Sequence, residues 1–329
     1  MTQINLARAL NEALAEEMER DESVFVIGED VTKAAFSVTR GLAAKFGNER
    51  VIDTPLSESA IAGACVGAAM MGLRPVGEIM FSDMLVLAMD QLVNSAAKAR
   101  YCYAGRNSAP LVIRTASGGM GSGVGPHHNQ SFEAMFAHVP GLIVVMPSNP
   151  ADGKGLLKAG IRCDDPVVFM EPKSIYFIKG DVPESDYVVP LGKCDVKREG
   201  TDLTLVATGA MVYKALKAAE SLQSEGISIE VIDPRTLKPL DKKTILQSVE
   251  KTGRLVTVEE ACKTGSFGGE VASIVAEESF HALKSPIKRV AAPDTPIPAN
   301  AFLEKNVYLP TENRIIEAVK AALNSSKET

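Results

Sequence analysis

Leu142-Ile143-Val144-Val145, Pro150-Ala151-Asp152 and Val167-Val168-Phe169-Met170 follow one another within residues 142–170 and read as strand, helix start and strand. The outer runs are short, apolar and rich in β-branched side chains, which suits strands buried on both faces. Pro150 has no N–H to lose in the first turn of a helix, so it marks a start and not a break. The same alternation extends upstream. Strand candidates are Val24-Phe25-Val26-Ile27-Gly28, Val51-Ile52-Asp53, Pro75-Val76-Gly77-Glu78-Ile79 and Leu111-Val112-Ile113-Arg114. Between them Ile4, Leu6, Leu10, Ala13, Leu14 and Met18 trace one helical face, and helices are expected over 57–72 and 84–101. Strands alternating with helices imply a mostly parallel sheet covered on both faces.

The rhythm stops over 172–201, where Pro172, Gly180, Pro183, Pro190, Gly192 and Gly200 stand among charges. It then resumes with strands at 203–207, 227–232, 255–258 and 287–291 and helices at 210–225, 241–251, 268–283 and 311–323. The expected architecture is α/β with two doubly wound domains, over residues 1–175 and 201–329, joined by a linker at 176–200.

The chain has 329 residues, enough for two domains that each bury a core without disulfides or metals. With 46% hydrophobic and 23% charged residues it is neither disordered nor collagen-like. A net charge of −6 argues against a broad basic face for nucleic acid. The longest small-apolar stretch, Ala60 to Leu73, is too short to span a bilayer. The first residues lack the basic-then-apolar order of a secretion signal. Cys65, Cys102, Cys163, Cys194 and Cys262 are widely spaced with no C-x-x-C pair, as expected of reduced thiols in the cytoplasm.

Three constellations could carry chemistry. His127 and His128 close a glycine-rich run, Gly118-Gly119-Met120-Gly121-Ser122-Gly123-Val124-Gly125-Pro126, that follows a strand, where α/β sheets bind ligands. They fit acid–base work, or equally loop histidines that cap carbonyls; for His138 the capping role fits better. The run lacks the Gly-Lys-Ser/Thr ending of a phosphate loop and the spacing of a dinucleotide fingerprint. Gly265-Ser266-Phe267-Gly268-Gly269 reads as a turn and helix start. Glu58 follows Asp53-Thr54-Pro55-Leu56-Ser57, with Ser57 able to cap the helix and Glu58 in its first turn. A carboxylate there complements the helix dipole. Yet Ala60, Gly63, Ala64, Gly67 and Ala68 leave one side of the helix bare for close packing, and desolvation at such a contact raises a carboxyl pKa. Metal-site spacings and the G-x-S-x-G elbow are absent from the sequence.

These residues belong to a longer ordered set. It comprises Glu29-Asp30-Val31, Asp53-Thr54-Pro55-Leu56-Ser57-Glu58, residues 90–98 (DQLVNSAAK), His128-Asn129-Gln130-Ser131, His138-Val139-Pro140-Gly141-Leu142, residues 231–237 (VIDPRTL) and residues 250–256 (EKTGRLV). The set resembles the beta subunit of the thiamine-diphosphate-dependent first component of 2-oxo acid dehydrogenases, shared by pyruvate, branched-chain and acetoin dehydrogenases. The resemblance implies a transketolase-like pyrimidine-binding domain followed by a transketolase C-terminal-type domain. It also implies an alpha subunit that holds magnesium and the cofactor diphosphate, in a heterotetramer of two alpha and two beta chains. A dihydrolipoyl acyltransferase core would take the acyl group on lipoyllysine. Glu58 matches the glutamate that hydrogen-bonds the aminopyrimidine ring, and His128 matches a histidine near the reacting centre. His127 would sit behind it. Phe81 and Met84 align with the cofactor wall, Met84 standing where relatives often have an aromatic ring. Asn129 replaces a more usual Ser.

Many relatives carry a potassium loop, here Gly160-Ile161-Arg162-Cys163-Asp164-Asp165-Pro166, with Gly160, Ile161, Cys163 and Asp165 at the ligand positions. Cys163 stands at the usual Asp position, and a thiol is a poor ligand for a hard cation. Alternative readings are the C-terminal half of a split transketolase, a non-catalytic binding protein and an NAD-binding dehydrogenase. Split transketolases usually carry Asp-Gly-Pro-Thr-His, whereas this chain has Val124-Gly125-Pro126-His127-His128. The sequence leaves open whether the substrate is pyruvate, a branched-chain 2-oxo acid or acetoin.

Overall fold

The computed structural model describes residues 1–325. Two compact units emerge: Met1–Ser117 with Met135–Leu191, and Gly118–Ala134 with the chain from Gly192 onward.

In the first unit the strands are β1 (Thr2–Asn5), β2 (Val24–Gly28), β3 (Val51–Asp53), β4 (Arg74–Phe81), β5 (Val112–Ser117), β6 (Ile143–Val145), β7 (Val167–Pro172) and β8 (Lys179–Val182). Six run parallel in the order β6-β7-β5-β4-β2-β3. The helices are α1 (Leu6–Arg20), α2 (Leu42–Phe46), α3 (Glu58–Met70), α4 (Ala99–Cys102) and α6 (Pro150–Arg162), with the short α5 (Glu133–Ala137) where the chain re-enters the unit. All six residues of β7 are buried, which accounts for its continuous apolar run. Asn149 accepts the Asp152 amide at 2.9 Å and Pro150 opens α6 as expected. This helix packs against α1, and charged side chains reinforce the contact: Lys154 and Lys158 reach Glu16 at 2.7 and 2.5 Å, and Arg162 reaches Glu17 at 2.7 Å. Gly28 ends β2 because a Cβ there would stand 2.6 Å from the Glu78 carbonyl of β4.

One local expectation fails. The stretch 84–101 is not one helix but a 3-10 segment (Ser82–Ala88), a π-helical segment (Asp90–Ala96) and α4. Such widened turns often sit beside functional sites. The stretch 176–200 carries two strands, one of them β8, which pairs antiparallel with β1.

The second unit holds β9 (Asp195–Arg198), β10 (Leu203–Ala207), β11 (Ile229–Asp233), the three-residue β12 (Thr236–Lys238), β13 (Leu255–Cys262) and β14 (Lys288–Ala292). Five form a sheet in the order β14-β13-β10-β11-β9, parallel except for β9. Its helices are α7 (Met211–Gln223), α8 (Lys242–Thr252), α9 (Phe267–Glu278), the short α10 (Ala301–Leu303) and α11 (Glu312–Asn324). Asp241 caps α8 by accepting the Thr244 amide, and Gly253 ends it in the left-handed region. Among the described residues, no helix is long and apolar enough to cross a membrane.

Candidate active site

In the first unit, the carboxyl ends of β2, β3 and β4 lie side by side, with Gly28 in register with both Asp53 and Glu78. The loops leaving β2 and β3 are tied together, the Thr32 amide donating to Asp53 at 2.9 Å and its hydroxyl to the same carboxylate. Four acidic side chains, Glu29, Asp30, Glu58 and Glu78, lie close enough here to feel one another's charge. Glu58 is 7% exposed in the first turn of α3, and Ser57 holds the cap position without a side-chain capping bond. Glu29 follows β2. Its carboxyl is pushed above the usual range first by burial and then by the negative charges of Glu58, Asp30 and Glu78. Glu29 was part of a sequence motif, but only the folded chain shows that it feels the charge of Glu58.

An aromatic cluster forms at the end of β4. Phe81 ends β4 and remains half-buried. Phe36 meets it edge-on with ring centres 5.5 Å apart, and Phe36 stacks on Tyr176 at 5.6 Å. The buried Lys173 ammonium lies 5.1 Å from the centre of the Phe81 ring. Met84 is half-buried in the 3-10 segment that follows, and α3 packs against both that segment and β4. Half-buried Phe81 and Met84, with the buried Glu58 carboxyl at the head of α3, which packs on β4, suit a flat heteroaromatic ring with a nitrogen to hydrogen-bond.

Beneath this surface lies a buried ionic network that the sequence did not reveal. Arg114 of β5 donates to both oxygens of Glu171 at 2.7 and 2.9 Å and to Glu78 at 2.6 Å. The Tyr176 hydroxyl donates to Glu171 at 2.6 Å. Burial pushes the Glu171 carboxyl up, opposed by the Arg114 charge, and pushes the Tyr176 phenol well up.

His128 belongs to the second unit, on the segment Gly118–Ala134. It is half-buried, whereas His127 and His138 are exposed. The glycine-rich loop before it does gather backbone N–H groups, but around a side chain of the protein. Met120, Gly121 and Gly123 donate to the buried Glu304 carboxylate at 3.0, 2.9 and 2.6 Å. Further along, the Glu133 carboxyl is buried and pushed up to about 8, first by desolvation, with the charges of Glu259 and Glu260 adding.

The potassium loop of the first unit does not fit a cation. One Arg74 nitrogen donates to the Ile161 and Cys163 carbonyls at 3.0 and 2.9 Å, and the other to Asp164 at 2.5 Å. Arg100 donates to Asp165 at 2.5 Å and to the Asp164 carbonyl at 3.2 Å, while the Gly160 carbonyl accepts the Cys163 amide at 3.2 Å. Burial pushes the Cys163 thiol up, away from the thiolate. Two guanidinium groups already supply the positive charge this loop can take. Among the described residues, no group of three or more His, Cys, Asp or Glu could hold a metal ion.

The chain is similar to known proteins. Residues 2–179 match the family described as "Transketolase, pyrimidine binding domain" and residues 192–315 match "Transketolase, C-terminal domain". The chain therefore has the two-domain build of the transketolase class. It is 47% identical to the 2-oxoisovalerate dehydrogenase subunit beta of Bacillus subtilis, across 97% of this chain and 98% of that protein. It is 45% identical to the beta subunit of the acetoin:2,6-dichlorophenolindophenol oxidoreductase of the same organism, across 95% of each. The pyruvate dehydrogenase E1 component subunit beta of Staphylococcus epidermidis is also 45% identical, with 98% and 99% covered. A solved split-gene transketolase, described as an inactive beta4 tetramer, superposes with a TM-score of 0.81 at 26% identity, covering 98% of this chain and 99% of that one. The chain belongs to the family of beta subunits of the 2-oxo acid and acetoin dehydrogenase first component.

Proposed function

We propose that the chain is the beta subunit of a thiamine-diphosphate-dependent 2-oxo acid or acetoin dehydrogenase, active only with its alpha subunit. The observation that carries this is the buried Glu58 carboxyl at the head of the small-residue helix, close enough to Glu29 for its charge to raise that carboxyl. When bound, thiamine diphosphate supplies a nucleophilic thiazolium carbon and an electron sink for the carbon–carbon bond that breaks. Glu58 holds the aminopyrimidine ring nitrogen and the proton it shares with it. Phe81 and Met84 wall the ring and keep water from it. His128 moves a proton during transfer of the acyl group to lipoyllysine, with His127 behind it.

The incomplete site supports a partner. The alpha subunit holds the diphosphate and its magnesium, in an assembly of two alpha and two beta chains. Ala60, Ala64 and Gly67 on α3 are exposed, as a helix face awaiting a second chain would be. The second domain docks the acyltransferase core, and the net charge of −6 suits a basic docking module. Free thiols at all five cysteines support a reducing, cytoplasmic setting. The higher identity to dehydrogenase subunits, 47% and 45% against 26%, favours this reading over a split transketolase.

The test is reconstitution with the alpha subunit, thiamine diphosphate and magnesium. Glu58→Gln should lower decarboxylation by about 10²–10⁴-fold while leaving subunit assembly intact. Near wild-type turnover in that variant would remove Glu58 from the mechanism. Ketol transfer between sugar phosphates would establish the transketolase reading instead.

A further inference from the structure

The glycine-rich loop has the backbone of an anion cradle, and the anion in it is Glu304. This residue opens the π-helical turn Glu304–Tyr308 and is fully buried. Its Oε1 accepts from the Met120 and Gly121 amides and, at 3.3 Å, from the Asn129 side-chain amide; its Oε2 accepts from the Gly123 amide. Successive N–H groups aimed inward are the usual construction of a backbone anion site. The loop is moulded on this side chain and its flanks. A Cβ at Gly119 would stand 2.7 Å from Glu304 Oε1, and one at Gly123, where φ is +73°, would stand 2.5 Å from the Ala301 amide nitrogen. The base of the loop is closed by the Gly118 amide donating to the Gln130 carbonyl at 3.2 Å.

We propose that Glu304 is the positioning residue of His128: its carboxylate fills the cradle, fixes the loop, and through Asn129 fixes the residue beside it. The inference rests on the reading of His128 given above. It explains why the loop needs its glycines without binding a phosphate. It also makes a carboxylate of this length necessary. Aspartate is one methylene short of the four donors, and glutamine turns an NH₂ donor toward at least one of them.

The experiment uses the complete alpha–beta complex with wild type, Glu304→Gln, His128→Ala and the double variant. Acyl transfer to a lipoyl domain, decarboxylation with an artificial electron acceptor, and amide exchange of residues 118–130 are each measured. Glu304→Gln should speed exchange across the loop and slow acyl transfer by about 10²-fold, as a misplacement near 1 Å does. Decarboxylation and KM for the 2-oxo acid should stay within a few-fold. The double variant should be no slower than His128→Ala alone. Losses that multiply in the double variant would show that Glu304 acts independently of His128 and overturn the proposal. Wild-type acyl transfer in Glu304→Gln would overturn it as well. Should His128→Ala itself transfer acyl groups normally, the catalytic reading of His128 fails. Exchange then separates the two claims, since unchanged loop protection in Glu304→Gln overturns the clasp and lost protection upholds it.

Discussion

Arg114 and Glu171 meet in a two-pronged ion pair on neighbouring buried strands, at 2.7 and 2.9 Å, beneath the surface that carries Phe81. Arg114 also holds Glu78, so one guanidinium compensates two carboxylates, and the Tyr176 hydroxyl supports Glu171 from a further side. Such a network is weak evidence for stability over an apolar core, but removing one partner strands charge in the interior. Arg114→Met is therefore expected to cost about 3–5 kcal/mol in chemical denaturation. Tyr176→Phe, which removes one donor and keeps the ring on Phe36, should cost about 1 kcal/mol. Equal losses in the two variants would mean that the carboxylates do not depend on Arg114.

Gly67 offers a test that separates folding from assembly. A Cβ at this position meets nothing within 4 Å in the chain itself. Gly67→Leu should leave the isolated chain as stable as wild type or slightly more so, since glycine costs a helix interior about 1 kcal/mol relative to alanine. The added side chain nevertheless projects from the bare face of α3. Co-purification with the alpha subunit should be lost, and with it activity. A fully assembled, active complex carrying Gly67→Leu would place the partner elsewhere.

Much of the architecture is legible because its signals are local. Strand β7 announces itself by an apolar run buried on both faces, and α6 by Asn149 and Pro150 at its start. The position of Glu58 is legible in the same way, one residue after Ser57 at the head of a helix of small residues, although Ser57 makes no capping bond and the role of Glu58 is read from the family resemblance. What escapes reading depends on distant partners. Strand β1 holds two exposed polar residues among four and exists as a strand because it pairs with β8. The expected helix over 84–101 breaks into 3-10, π and α turns, a choice made by packing on α3 and not by propensity. Glu304 carries no local mark at all. Its role is set by amide donors more than 170 positions away.

Glu133 predicts a pH dependence of stability. Its carboxyl is raised from 4.5 to about 8 by burial and by the charges of Glu259 and Glu260. Between those values the folded chain keeps a proton that the unfolded chain has released. Folding then binds protons, so this group's contribution is fully present below about pH 4.5 and declines as pH rises toward 8. The decline cannot exceed about 1.4 kcal/mol per pH unit. Glu133→Gln carries no such proton. Its unfolding free energy, measured from pH 5 to 9, should gain on wild type as the pH rises to about 8 and then level off. A constant difference between the two across that range would mean Glu133 does not titrate there.

The loop at 160–165 predicts indifference to potassium. Its carbonyls at Ile161 and Cys163 are taken by Arg74, and its carboxylates at Asp164 and Asp165 by Arg74 and Arg100. At fixed ionic strength, exchanging potassium for sodium or tetramethylammonium chloride should leave the unfolding midpoint of the alpha–beta complex unchanged. Removing the guanidinium should matter more than removing the salt. Arg74→Met orphans two carbonyls and the Asp164 carboxylate, a loss of about 1–3 kcal/mol. Restoration of the Arg74→Met midpoint by potassium but not by sodium would show that the loop retains the shape of a cation site. A potassium-specific rise in the wild-type midpoint would instead mean that an ion sits there alongside Arg74, and the guanidinium would not be its replacement.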